Sequence, residues 1–171
     1  YGVTLGGPIV KNKLFFFVSG EYNLDTSPSS YYLGFDGVAL DKAELDRISN
    51  RYKALTGYDG GGTGRRNVQQ NSGSLLATLD WHINDHNRLS ASYSFLDARA
   101  EEYANSLTSF TFNGSGYANY STAHHLALSL ESRITDRVHN TLRVGFSRVG
   151  DGREPDVKGD LPSVIIRNEG T

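Results

Sequence analysis

Leu75-Leu76-Ala77-Thr78-Leu79-Asp80-Trp81-His82-Ile83 leads through Asn84-Asp85-His86-Asn87 into Arg88-Leu89-Ser90-Ala91-Ser92-Tyr93-Ser94-Phe95-Leu96-Asp97. In the first segment the odd positions are Leu, Ala, Leu, Trp and Ile, and the even ones are mostly Thr, Asp and His. In the second, Leu89, Ala91, Tyr93 and Phe95 alternate with Arg88, Ser90, Ser92 and Ser94. A period of two is the spacing of a strand with one apolar and one polar face. Two such runs joined by four turn-forming residues predict a β-hairpin.

The same unit recurs on either side. Downstream, Leu126, Leu128, Leu130 and Ile134 alternate with Ala127, Ser129, Glu131 and Arg133; Thr135-Asp136-Arg137-Val138 turns the chain, and Leu142, Val144 and Phe146 return. Upstream, Tyr1, Val3 and Leu5 pass through residues 6–12 into Leu14, Phe16, Val18 and Tyr22. The expectation is three hairpins and six strands, near residues 1–6, 13–23, 74–83, 88–98, 122–134 and 139–149. Between hairpins the connections are long, roughly 24–72, 98–121 and 150 onward. Connections of that length are uncommon in compact domains and usually functional. Short turns alternating with long loops are the asymmetry of an outer-membrane barrel, so the fold expected is all-β: an antiparallel up-and-down transmembrane β-barrel segment.

Composition agrees with that class without requiring it. Mean hydropathy is −0.44 and the longest apolar run is five residues, Leu14 to Val18, which excludes a membrane-spanning helix. A barrel shows lipid only every second side chain, so low mean hydropathy is expected of it. Seventeen Lys and Arg against 19 Asp and Glu give no basic footprint for nucleic acid. The absence of Cys removes disulfide, thiolate and cysteine-based zinc chemistry. Ten Tyr, eight Phe and 19 Gly with only four Pro suit strands joined by turns and glycine-rich loops. The chain opens directly in strand-like alternation, without an initiator Met or signal peptide, and is expected to be a fragment.

Connectivity also orients the strands. A strand after a long loop runs inward, which places Trp81 near the periplasmic interface and Tyr22, Tyr93 and Phe95 toward the outer one, as two aromatic girdles. Within the first long loop, Leu45, Ile48, Tyr52 and Leu55 recur at helical spacing, with Asp41 placed to cap the start and Gly57 the end. The following Asp59-Gly60-Gly61-Gly62-Thr63-Gly64-Arg65-Arg66 is expected to be mobile on composition alone.

Tyr1-Gly2-Val3-Thr4-Leu5-Gly6-Gly7-Pro8-Ile9-Val10-Lys11-Asn12-Lys13-Leu14-Phe15-Phe16-Phe17 resembles a stretch early in the barrel of TonB-dependent outer-membrane transporters, especially the Oar-like group. Residues 79–90, Leu79-Asp80-Trp81-His82-Ile83-Asn84-Asp85-His86-Asn87-Arg88-Leu89-Ser90, resemble the next inward strand, turn and outward strand of those proteins, as does Asn140-Thr141-Leu142-Arg143-Val144-Gly145 the later one. The resemblance covers most strands and turns and none of the long loops. It implies a barrel of about 22 strands closed by a plug domain, taking up a scarce solute across the bacterial outer membrane with energy from the TonB complex. Plug and remaining strands are expected to lie outside this chain. The partners implied are outer-membrane lipid, the protein's own plug, the TonB complex and an unidentified solute. An adhesion or surface-binding barrel is the alternative.

Candidate site residues fall into two groups. Asp80, Arg88, Glu131, Arg133 and Arg143 occupy the polar face and are expected to point into the lumen, because a charge facing lipid near the midplane costs roughly 2–4 kcal/mol. Tyr31, Tyr32, Phe35, Tyr58, Phe110, Phe112, Tyr117 and Tyr120 fall in long connections and are candidates for extracellular ligand contact, since exposed aromatics offer large contact area. No enzyme or cofactor is expected, as no nucleophile, base and orienting group form a coherent set. His124 and His125 are adjacent in a strand and point to opposite faces, which disfavours a shared metal. The glycines before Arg65-Arg66 lack the Lys-Ser/Thr of a phosphate-binding loop. The sequons at Asn113 and Asn119 carry no weight in a bacterial protein.

Overall fold

The computed structural model of the chain describes residues 1–33, 41–107 and 109–156. Six strands form one antiparallel sheet in chain order: β1 (Gly2–Val10), β2 (Leu14–Pro28), β3 (Asn67–Asn84), β4 (Asn87–Glu102), β5 (Tyr117–Thr135) and β6 (Val138–Pro155). The sheet is open, with β1 and β6 at its two edges. An open up-and-down sheet is the unit from which a barrel wall is built.

Residues directly opposite in an antiparallel pair share a face. Following the register across the sheet gives four apolar rows on one side. They run Val10–Leu14–Trp81–Leu89–Leu130–Leu142; Gly7–Phe16–Leu79–Ala91–Leu128–Val144; Leu5–Val18–Ala77–Tyr93–Leu126–Phe146; and Val3–Gly20–Leu75–Phe95, where His124 and Arg148 end the band. Rows two residues apart place the first and last about 20 Å apart along the strands. Outer-membrane barrels carry an apolar band of about 25 Å. The other face is mainly Ser, Thr and charged residues with some Ala, and Phe15, Phe17, Val68, Leu76, Leu96 and Val149 are its large apolar exceptions.

One sheet cannot bury its own face, and the burial pattern records this. Among the described residues the only buried apolar ones are Ala118 and Ala123, and no large side chain is fully buried. Leu142, Val144 and Phe146 are 57%, 58% and 61% exposed. A soluble β-sandwich would cover such a face with a second sheet. All six strands belong to one sheet, so no second sheet does so among the described residues. Two hollows, about 770 and 430 Å³, open on the polar face, which is therefore concave, and the apolar face is convex.

The three hairpin turns are tight, and each follows a register shift in the incoming strand, at Pro8/Val10, His82/Asn84 and Arg133/Thr135. In the first, Asn12 adopts a left-handed φ of 61° that Asn tolerates, and Lys13 N–H donates to the Val10 carbonyl at 3.0 Å. This turn is three residues, 11–13, because β1 continues through Gly6-Gly7-Pro8 rather than ending before them. Pro8 is compatible with an edge strand. In the others, Asn84 Oδ1 accepts from His86 N–H at 2.9 Å and Thr135 Oγ1 from Arg137 N–H at 3.3 Å, so a side chain closes each turn locally.

At the opposite end the strands outrun the sequence expectation. β2 reaches Pro28 rather than 23, β3 begins at Asn67 rather than 74, and β4 reaches Glu102 rather than 98. β5 begins at Tyr117 rather than 122, and β6 reaches Pro155 rather than 149. Beyond the apolar band apolar side chains are sparse on both faces, so period-two hydropathy fades while the backbone ladder continues. The long connections are correspondingly shorter. The first contains the expected helix, α1 (Lys42–Thr56): Asp41 Oδ1 accepts from Ala43 N–H at 3.0 Å, and Gly57, φ 74°, closes the other end. Leu45, Ile48 and Tyr52 are half-buried and Leu55 is exposed.

Candidate functional site

Two regions gather the candidate residues: the concave face and the layer of loops above it. All five charged candidates share the concave face, because the register pairs Asp80 with Ser90, Arg88 with Glu131, Arg133 with His139 and Arg143 with Ser129. Asp80 Oδ1 accepts from Arg88 Nη2 at 3.0 Å and from Ser90 Oγ at 2.7 Å. Arg133 Nη2 donates to the main-chain carbonyl of Asp85 at 3.4 Å. Arg88, Glu131 and Arg133 thus lie toward the turns, with Asp80 and Arg143 in the next row, Asp80–Ser90–Ser129–Arg143, whose last member is on the edge strand. His124 faces Phe95 and Arg148 on the convex side, its Nδ1 2.9 Å from Tyr93 Oη, while His125 faces Ser94 and Ser147 on the concave side.

The loops form a packed cap. Two backbone segments meet where Asn113 N–H donates to Gly62 O at 3.0 Å and Gly114 N–H to Gly60 O at 2.8 Å. A Cβ on Gly61 would lie 2.8 Å from Gly114 N, so the glycine run is where two backbones touch. The composition that permits many backbone states also permits this close approach. Ser29 N–H donates to Arg66 O at 2.6 Å, and Arg66 N–H to Ser29 Oγ at 3.2 Å. Asn105 links the same loops, donating from Nδ2 to Tyr31 O at 3.2 Å and accepting at Oδ1 from Thr111 N–H and Oγ1, both at 2.8 Å. Thr63 is buried at this junction.

Three arginines stack on tyrosines here: Arg65 over Tyr32 at 5.4 Å, Arg66 over Tyr103 at 4.5 Å and Arg153 over Tyr117 at 4.0 Å. Tyr103 Oη donates to Asp156 Oδ2 at 3.2 Å, and Arg66 lies 3.9 Å from the same carboxylate while donating to Asn113 O. Burial, then the negative charge of Asp156, pushes the Tyr103 phenol above its ordinary range, against the opposing pull of Arg66. Tyr103 and Asp156 were not singled out by sequence; their signal, an aromatic and an acid in different loops, becomes visible only once the register brings β4 and β6 together across β5.

The aromatic candidates separate. Tyr31 holds a left-handed φ of 57°, Tyr58 stands edge-on to Tyr52 at 6.2 Å, and Phe112 packs against Gly60. Phe110 is half-buried, and Phe35 lies outside the described residues. Tyr117 and Tyr120 are strand residues of β5 rather than loop residues. They face opposite sides of the sheet: Tyr117 on the concave side beneath Arg153, Tyr120 on the convex side with its ring on Gly152. These two cannot contact one ligand on one face.

No protein-family model, no curated protein and no solved structure matches the chain.

Proposed function

We propose that this chain is part of the wall of a bacterial outer-membrane β-barrel, and within that class part of a TonB-dependent receptor that takes up a scarce solute. The observation that carries the first half is the convex band: three apolar rows across six strands and a fourth across four, with no second sheet against them among the described residues. A patch that continuous on a soluble monomer marks an interaction or membrane surface, and its height suits the hydrocarbon layer. The concave hydroxyl-rich and charged face suits a lumen, the cap an outer surface, and the tight turns the periplasmic side. The second half is supported by the resemblance of residues 1–17, 79–90 and 140–145 to TonB-dependent transporters.

This chain holds no Cys, so once any cysteine elsewhere in the full-length protein is replaced, a label reports the position chosen. Single cysteines at Leu128 and Ala127 of the full-length protein in lipid vesicles are spin-labelled and challenged with an apolar and a water-soluble relaxation agent. The reading expects Leu128 to respond to the first and Ala127 to the second; equal responses refute a membrane wall. Uptake of candidate solutes by a deletion strain, with and without collapse of the proton gradient, tests the coupling. Normal uptake of every solute with loss of attachment would replace the transporter by the adhesion barrel.

A further inference from the structure

Asn113-Gly114 is the one Asn-Gly pair in the sequence. In such a pair the glycine amide nitrogen can attack the asparagine carboxamide, because glycine puts no Cβ in the way of the five-membered ring that forms. The reaction needs no other protein group. It is controlled by whether the backbone between the two residues can turn, and by whether the glycine N–H is free to lose its proton.

The closed cap withholds both. Ring closure requires rotation about the Asn113 Cα–C bond, and the amides on either side of that bond are the two seam donors: Asn113 N–H to Gly62 O at 3.0 Å and Gly114 N–H to Gly60 O at 2.8 Å. The nucleophile is thus itself bonded to the glycine run. The leaving group is held as well, since Asn113 Nδ2 donates to Gly64 O at 3.4 Å. Arg66, stacked on Tyr103, donates to the Asn113 carbonyl. Asn113–Ser115 form a single 3-10 turn in which Ser115 N–H donates to Phe112 O at 2.9 Å. Every tether but that last one comes from residues 60–66, across the seam.

We propose that Asn113 is a self-modification site protected by the closed cap, and that its deamidation keeps an opened cap from closing again. In the open cap, water or hydroxide takes the Gly114 N–H proton and the nitrogen bonds to Asn113 Cγ. The Cγ–Nδ2 bond breaks and ammonia leaves. Water then opens the succinimide: cleavage between nitrogen and Cγ gives aspartate, and cleavage at the main-chain carbonyl gives isoaspartate. The sum is one water consumed and one ammonia released. Either product opposes the seam. Aspartate has no side-chain donor for Gly64 O and sets a carboxylate, an acceptor only, against that carbonyl. Isoaspartate also inserts a carbon into the main chain between the two seam amides, so they no longer match Gly60 and Gly62. The inference rests on the cap and not on the membrane reading, and stands if that reading fails.

The test incubates the full-length protein in detergent micelles at mildly alkaline pH, folded and in denaturant, and follows Asn113 by peptide mass spectrometry. A site that reacts only from an open state reacts in proportion to how often it opens, so folded wild type should deamidate at least about ten-fold more slowly than the denatured chain. Gly61→Ala, whose added Cβ would stand 2.8 Å from Gly114 N, should raise the folded rate at least about three-fold. In Asn113→Asp the Gly114 amide should exchange with solvent faster than in wild type while the strand amides keep their protection. Equal rates in folded and denatured wild type overturn the proposal, as does an unchanged rate in a folded Gly61→Ala. Wild-type protection of Gly114 in Asn113→Asp overturns it too, and that readout and the wild-type ratio decide the matter if Gly61→Ala does not fold.

Discussion

In the convex band Leu142, Val144 and Phe146 are more than half exposed, whereas at the loop end of the same sheet Ala118 is 1% and Thr63 7% exposed. The band has regular backbone bonds and no burial of its own; the buried side chains among the described residues are Thr63 in the cap and Ala118 and Ala123 toward the loop end of β5. The apolar surface of the band must thus be covered from outside, whereas the loop end of the sheet is covered by the chain's own loops. The cap does so by short-range means: backbone pairs between Gly60–Gly62 and Asn113–Gly114, an asparagine bridging loops, and arginines laid on tyrosine rings.

The largest expected effect breaks the comparison on the band side. Leu128 sits in the second apolar row, between Ala91 and Val144. In the full-length protein refolded into vesicles, Leu128→Arg should lose about 2–4 kcal/mol, the cost of an arginine facing lipid near the midplane. Ala127→Arg, one residue earlier and on the concave face, should shift stability by about 0.5 kcal/mol. Denaturant titration in lipid reads both, and equal losses would mean that the convex face does not meet hydrocarbon.

A smaller effect probes the cap. At Gly61, φ is 86° and an added Cβ would stand 2.8 Å from Gly114 N, a backbone atom that cannot swing aside. Gly61→Ala should cost roughly 1–3 kcal/mol, concentrated in the loops. The amides of Asn113 and Gly114 should then exchange with solvent faster while the strand amides keep their protection. Gly62, φ 72° with open space around it, supplies the control: Gly62→Ala carries only the left-handed strain of about 1–2 kcal/mol. If the two variants exchange alike, backbone contact does not hold the seam.

The same contrast explains what could be read from sequence. Six strands, three hairpins, their faces and the helix were legible because each rests on local periodicity or a local cap, as with Leu75–Ile83 and Asp41. The expectation that Asp80, Arg88, Glu131, Arg133 and Arg143 share a face needed only parity, which no register shift disturbs between Asn87 and Ser132. Strand ends beyond the band were not legible, since Asn67–Gly73 alternates nothing hydrophobic and is held by its ladder to β2 and β4. The Arg66–Tyr103–Asp156 cluster was out of reach because 37 and 53 residues separate its members along the chain. Tyr120 was misread as a loop residue for the first reason, and its seat on Gly152 hidden for the second.

The smallest effect is a titration confined to that cluster. Burial and the Asp156 carboxylate raise the Tyr103 phenol above its ordinary range, so the folded cap prefers the neutral ring. A raised folded value means that this contribution is fully present below the ordinary tyrosine pKa of about 10 and is lost as pH rises through the folded value. The cap should loosen in strong alkali through Tyr103 first losing its donation to Asp156 and then carrying a second negative charge beside it. The phenolate absorbance of wild type minus that of Tyr103→Phe isolates the step, which should lie above the other tyrosines and move down in Asp156→Asn, where the neighbouring charge is gone. A Tyr103 step at or below the bulk tyrosine titration would show that the ring is neither buried nor beside the carboxylate, and would remove the cap's claim to pack independently of what covers the band.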